Sequence, residues 1–175
     1  MAEIMTKAER LALTQVVRLN TKVAITALKQ RSAELEADLE RKLAARFSYD
    51  QDEVWKQAYS EAKVAVVAAN EKVAEVCRNK GIPAEFAPRI NVEWLSRGQN
   101  ASRERRIELR RVGLAEIEAL ERRGRAEIER RSAEIQTRLL AGGLETDDAR
   151  AFLESIPSAV DLMPLLSIEA IEAAA

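Results

Sequence analysis

The chain has 175 residues, enough for one domain of ordinary size, and its charges nearly cancel to a formal −1. Aromatics at 4% and charged residues at 33%, in a background of Ala, Leu, Glu and Arg, argue for long helices and against a sheet-rich fold. The near-zero charge creates no overall field that would draw the chain to phosphates or an anionic membrane, so any such role rests on a local patch.

There is no histidine, which removes the commonest general base, the usual catalytic triads and every His-containing zinc or di-iron site. Cys77 is alone on the apolar side of Val73-Ala74-Glu75-Val76-Cys77, so it reads as a small buried hydrophobe and not as a reactive thiol. No Gly-rich phosphate loop, no Gly-x-Ser-x-Gly and no paired cysteines occur, and Asp147-Asp148 lacks the spacing of a calcium loop. The expectation is a chain without catalytic residues, cofactor or metal. No apolar run approaches the roughly 20 residues that span a bilayer, and the first residues lack the order of a secretory signal. A soluble location is expected, cytoplasmic or in a particle such as a virion.

From about Glu3 to Arg46 there is neither proline nor glycine, and Ile25, Leu28, Leu35, Leu39 and Leu43 recur at helical steps. One long helix is expected. Its first half, with Leu11, Val16, Val17, Leu19 and Val23, is apolar around much of its circumference, which predicts burial on more than one side. Asp50 followed by Glu53 resembles a capping box for a second helix, whose face of Val54, Ala58, Ala62, Val66, Ala69, Val73 and Val76 ends at Gly81 with Pro83 beyond. The short link between the two predicts an antiparallel hairpin over residues 1–80.

Residues 81–99 hold two of the four prolines and one of the two tryptophans, with Ile82, Phe86, Ile90, Trp94 and Leu95. This reads as a structured connection packed on the hairpin or on a partner, with one helical turn around Val92 to Leu95. A third long helix follows over residues 100–141, capped by Asn100 or Ser102 and stopped by Gly142-Gly143. Its apolar stripe is Ile107, Leu114, Ile117, Ile128, Ile135 and Leu139, flanked by Leu109 and Leu120. Ile117, Ile128 and Leu139 stand eleven apart, as do Gly113, Gly124 and Ile135, a period that fits a straight or slightly right-handed supercoil. The two glycines read equally well as a close helix approach or as a kink. Three ion pairs are expected at four-residue spacing: Glu118 with Arg122, Glu121 with Arg125, and Glu127 with Arg131.

Residues 142–175 change texture, to an acidic and apolar segment of short helices begun at Thr146-Asp147-Asp148, Ser158 and Ser167 and interrupted by Pro157 and Pro164. Phe152, Leu153, Leu162, Met163, Leu165 and Leu166 need cover, so the segment reads as a docking segment. The Arg-rich helix suggests phosphate binding through Arg103, Arg105, Arg106, Arg110 and Arg111. However, Glu104 and Glu108 interleave with them and Glu116 follows, which favours a solvated face or the flanks of a coiled-coil seam, with contact to an acidic partner as the alternative.

A helix of about 40 residues is about 60 Å long, beyond the diameter of a compact globule of this chain length. The expected fold is therefore all-α and elongated: a coiled-coil-like hairpin, a third long helix and a short helical docking segment. Stripes at Leu28, Leu35, Leu39 and Leu43, and at Ile107, Leu114, Ile117, Ile128 and Ile135, would form an oligomer interface. This texture, Ala/Glu/Arg-rich with a small acidic end segment, resembles that of small virion-building proteins of bacteria and tailed phages. The absence of catalytic motifs and the uncovered length of the helices lead to the expectation of a non-enzymatic structural protein, a homo-oligomer that also meets another protein of its assembly, and the resemblance adds only the preference for a phage or bacterial particle. The competing reading is a nucleic-acid-binding accessory protein.

Overall fold

In the computed structural model the described residues are 5–142 and 145–174, without the side chains of Ala84, Trp94 and Leu95. The fold is all-α: α1 (Lys7–Arg46), α2 (Asp52–Asn79), a 3-10 turn at Ala84–Phe86, α3 (Glu93–Ala141), α4 (Thr146–Glu154), α5 (Ala159–Leu162) and α6 (Ile168–Ala174). No strand occurs among the described residues. The expected packing of Trp94 and Leu95, the Gly143 part of the helix stop and the start of the first helix at Glu3 lie outside them.

Local chemistry sets the helix ends. Thr6 and Glu9 form a reciprocal capping box at the start of α1: the Thr6 N–H donates to Glu9 Oε2 at 2.6 Å, and the Glu9 N–H donates to Thr6 Oγ1 at 3.3 Å. The capping box expected at Asp50 does not form. The residue before α2 is Gln51, and Asp50 instead accepts from the Trp55 indole N–H at 3.1 Å. At the other end of α2, Gly81 takes φ 72°, with the Gly81 N–H donating to the Arg78 carbonyl and the Ile82 N–H to that of Cys77. Glycine is needed there because an L side chain disfavours that backbone region, and the two bonds satisfy carbonyls that the helix leaves open. The turn expected around Val92 is the first turn of α3 itself, where Asn91 Oδ1 accepts from the Glu93 N–H at 3.0 Å, so the helix begins before Asn100.

The chain divides into two units, residues 1–40 with 111–175 and residues 41–110, a division that does not follow the four consecutive segments expected from sequence. In the first unit the long helices pack antiparallel. Leu28 meets Gly124 and Leu39 meets Gly113, while the Thr21 hydroxyl donates to Ser132 Oγ at 2.7 Å. Steps of eleven along α1 match steps of eleven backward along α3, so the repeat seen in the sequence is the period of this seam. The glycines mark a close approach. Val17, Leu28, Leu35 and Leu39 of α1 and Ile117, Ile128, Ile135 and Leu139 of α3 are buried, and Met5 and Ala149 join the cluster around Val17 and Ile135.

In the second unit α2 is tied to the segment that follows it by two of its side chains. Asn70 clamps Ile90 through both its amide atoms, at 2.8 and 3.1 Å, and Asp52 pairs with Arg103. Leu43, Phe47, Cys77 and Leu109 are its buried apolar residues. Among the described residues of the connection, Ile82, Phe86 and Ile90 stay exposed.

Candidate interaction surfaces

The stripe residues expected at an oligomer interface are, for the most part, already used. Leu28, Leu35, Leu39, Leu43, Ile117, Ile128 and Ile135 are buried within the single chain, Leu114 is half-buried, and Ile107 is 67% exposed. This corrects the expectation that the long helices keep these faces for other copies. In the second unit Leu109 of α3 is buried while Ile107 is exposed, so the buried side of α3 there runs through the flanking position of the expected stripe.

The acidic end segment is likewise docked on its own chain. Leu162 packs at Gly124 and Ile171 at Gly113, each sharing its glycine with a leucine of α1. The Met163 side chain is fully buried, its carbonyl accepting from Arg31 Nε at 3.3 Å, and the Arg138 guanidinium lies 4.4 Å over the Phe152 ring. Phe152, Leu153, Leu162 and Leu166 are half-buried, whereas Leu165 is exposed. Each short helix needs this support. Ser158 accepts from the Asp161 N–H and Ser167 from the Ala170 N–H, but caps do not stabilise helices of such length alone.

Many of the charges on α3 are paired, on the helix or off it. Arg103 is paired with Asp52, and Arg110 and Arg111 have partners. Arg105 is exposed and Arg106 half-buried. Farther along, Glu127 accepts from Arg130 at 2.7 Å and Arg131 at 3.0 Å, and these two hydrogen bonds hold its carboxyl down at about 2. The same bond raises Arg130, and Arg125 is raised by Glu129, its partner at 2.9 Å. Of the three expected pairs, Glu127 with Arg131 forms as anticipated. Arg125 turns forward to Glu129, with Glu121 adding attraction from farther off.

What sequence reasoning missed is the outward face of α1. It expected burial on more than one side, but only the side carrying Val17 and Leu28 is buried, while Leu11, Val16, Leu19 and Val23 are exposed. Beside them Leu11, Arg18, Lys22 and Lys29 recur at steps of seven, four and seven, which places them on one line of the helix surface. Among the described residues these three cations make no ion pair, and Glu9 is the only acid between Lys7 and Arg31. The signal was present in the sequence as a helix apolar on two sides with its bases gathered on one.

The second open surface lies on α2, where Cys77 is the only buried residue of 28. Val54, Val64, Val67 and Val76 are exposed, and Ala69, Val73, Val76 and Cys77 line an open cleft of about 430 Å³. Among the described residues no helix is long and apolar enough to cross a membrane.

No protein-family profile, curated protein or solved structure matches this chain.

Proposed function

We propose that the protein is a non-enzymatic assembly component, a helical homo-oligomer of the kind that builds a particle of bacterial or phage type. The observation that carries this reading is the pair of uncovered apolar helix faces. Leu19 and Val23 of α1, a helix whose opposite face is packed, are 62% and 67% exposed, and Val64 and Val76 of α2, which buries only Cys77, are 69% and 57% exposed. Aliphatic groups gathered this way favour association, because covering them removes about 25 cal/mol per Å2 of apolar surface from water. The coiled-coil-like character anticipated for the hairpin and third helix belongs to the same reading. In it the eleven-residue seam stiffens one copy, and the open faces join copies.

Of the arginines that would carry the nucleic-acid reading, Arg103 is held by Asp52 and Arg110 and Arg111 have partners, which leaves Arg105 and the half-buried Arg106. The test of the assembly reading is the mass of the purified protein by light scattering over a concentration series, with and without added nucleic acid. A mass that rises with concentration and ignores nucleic acid is expected. A single copy at tens of micromolar would reject the reading.

A further inference from the structure

The outward surfaces of the first unit carry opposite charge. Along α1, Arg18, Lys22 and Lys29 line one side of the exposed strip that Leu19 and Val23 complete. On the end segment, Asp147, Asp148, Glu154 and Asp161 are exposed, Arg150 is the only base in the segment, and Val160 and Leu165 are 61% and 69% exposed among them. A basic strip with aliphatic neighbours thus has its counterpart, an acidic surface with aliphatic neighbours, on the same molecule.

We infer that these two surfaces pair between copies, the α1 strip of one copy seating the outer face of the α4–α6 segment of the next. The inference rests on the homo-oligomer reading and specifies its junction. Electrostatic complementarity selects the register and suppresses like-with-like contacts, since strip against strip or segment against segment would place like charges together. The aliphatic residues supply the area to be buried. Because the two surfaces differ, the junction is head-to-tail, and repetition of it builds a closed ring or an open filament. Nucleic acid is a poorer occupant of the strip, because Leu11, Leu19 and Val23 would stay uncovered against phosphates. A lipid surface is poorer too, because the strip lacks the Trp or Phe anchors of interfacial helices.

The test uses the full chain in two variants. One carries Arg18→Glu, Lys22→Glu and Lys29→Glu, the other Asp148→Lys and Glu154→Lys, with helix content checked by circular dichroism. The head-to-tail junction predicts that each variant alone loses at least half the wild-type mass, and that mixing the two restores it, because each then offers the other both a native and a reversed junction. A salt arm needs no variant. At about 1 M salt, where the screening length is about 3 Å, the wild-type mass should fall as well. Variants that keep the wild-type mass, a mixture that fails to recover, or assembly indifferent to salt would each overturn the junction while leaving homo-oligomerisation intact. A wild-type single copy would instead overturn the assembly reading itself. Salt-sensitive retention of DNA or RNA, lost in the α1 variant with no change of mass, would hand the strip to nucleic acid.

Discussion

Leu39 occupies the space that any side chain at Gly113 would need, its Cδ2 lying 2.7 Å from where a β-carbon would stand. Two glycines inside a long helix cost about 1 kcal/mol each against alanine, so a helix free of neighbours would gain from their replacement. Here the neighbour decides the sign. Leu39 is itself buried and Ile171 closes the notch from the other side at 3.3 Å, so the methyl group has no free volume to enter. Gly113→Ala should lower the unfolding free energy by up to about 2 kcal/mol in chemical denaturation, the usual range of overpacking less the propensity gain, and should not raise it. Combined with Leu39→Ala, it should cost less than the two changes summed, and strict additivity would show that the residues do not compete for one space.

The phase of the seam gives a second, independent check. Ile128 is fully buried on α3 while Ile107, assigned to the same stripe from the sequence, is exposed. Ile128→Ala should therefore cost about 2–5 kcal/mol, the range for large-to-small core changes, and Ile107→Ala no more than about 0.5 kcal/mol. Similar costs at the two positions would mean that Ile107 is covered and not exposed.

Acid should loosen the outer face of α3 before it reaches the core. The Glu127 carboxyl is held near 2, against an ordinary value of 4.5, by its bonds to Arg130 and then Arg131. A depressed carboxylate contributes stability that is fully present above its unfolded value and is lost as pH falls through its folded value. The window is therefore between pH 4.5 and about 2, where Glu127→Gln should flatten part of the acid-induced loss. The direct measurement is the Glu127 side-chain titration by carbon-detected NMR. A midpoint in the ordinary carboxylate range would remove this contribution.

How far the sequence reached depends on which physical signal was being read. The long helices were legible because Pro and Gly are missing from α1, and the stops at Gly81 and Gly142 were legible because both adopt positive φ, at 72° and 75°. The serine caps at Ser158 and Ser167 followed from local chemistry in the same way. Pairing was harder. The short link after Phe47 suggested that α1 folds on α2, whereas the bond from Thr21 to Ser132 joins residues far apart in the chain. The eleven-residue spacing of Gly113 and Gly124 held that information, but only beside Leu28 and Leu39 does it become a register. For the candidate surfaces, the apolar residues were visible, but which would be covered was not. Val17 and Leu19 look alike in sequence, and only the packed partner separates the buried one from the exposed one.

The end segment should be the least stable part of its unit, and its stability should depend on packing more than on its helices. Its helices have nine, four and seven residues, lengths at which nucleation outweighs propagation in water. What holds them are the fully buried Met163, the buried Ile171 at Gly113, and the contact of Phe152 beneath Arg138. Met163→Ala should cost about 2–5 kcal/mol if the whole unit unfolds together, and less if the segment detaches by itself. Hydrogen exchange separates the two cases. In the variant, amides of residues 146–174 should lose protection well before those of Val17, Ile128 and Ile135 on the long helices. Equal loss across all three elements would mean that the segment is an integral third layer of the core and not a strap laid over it.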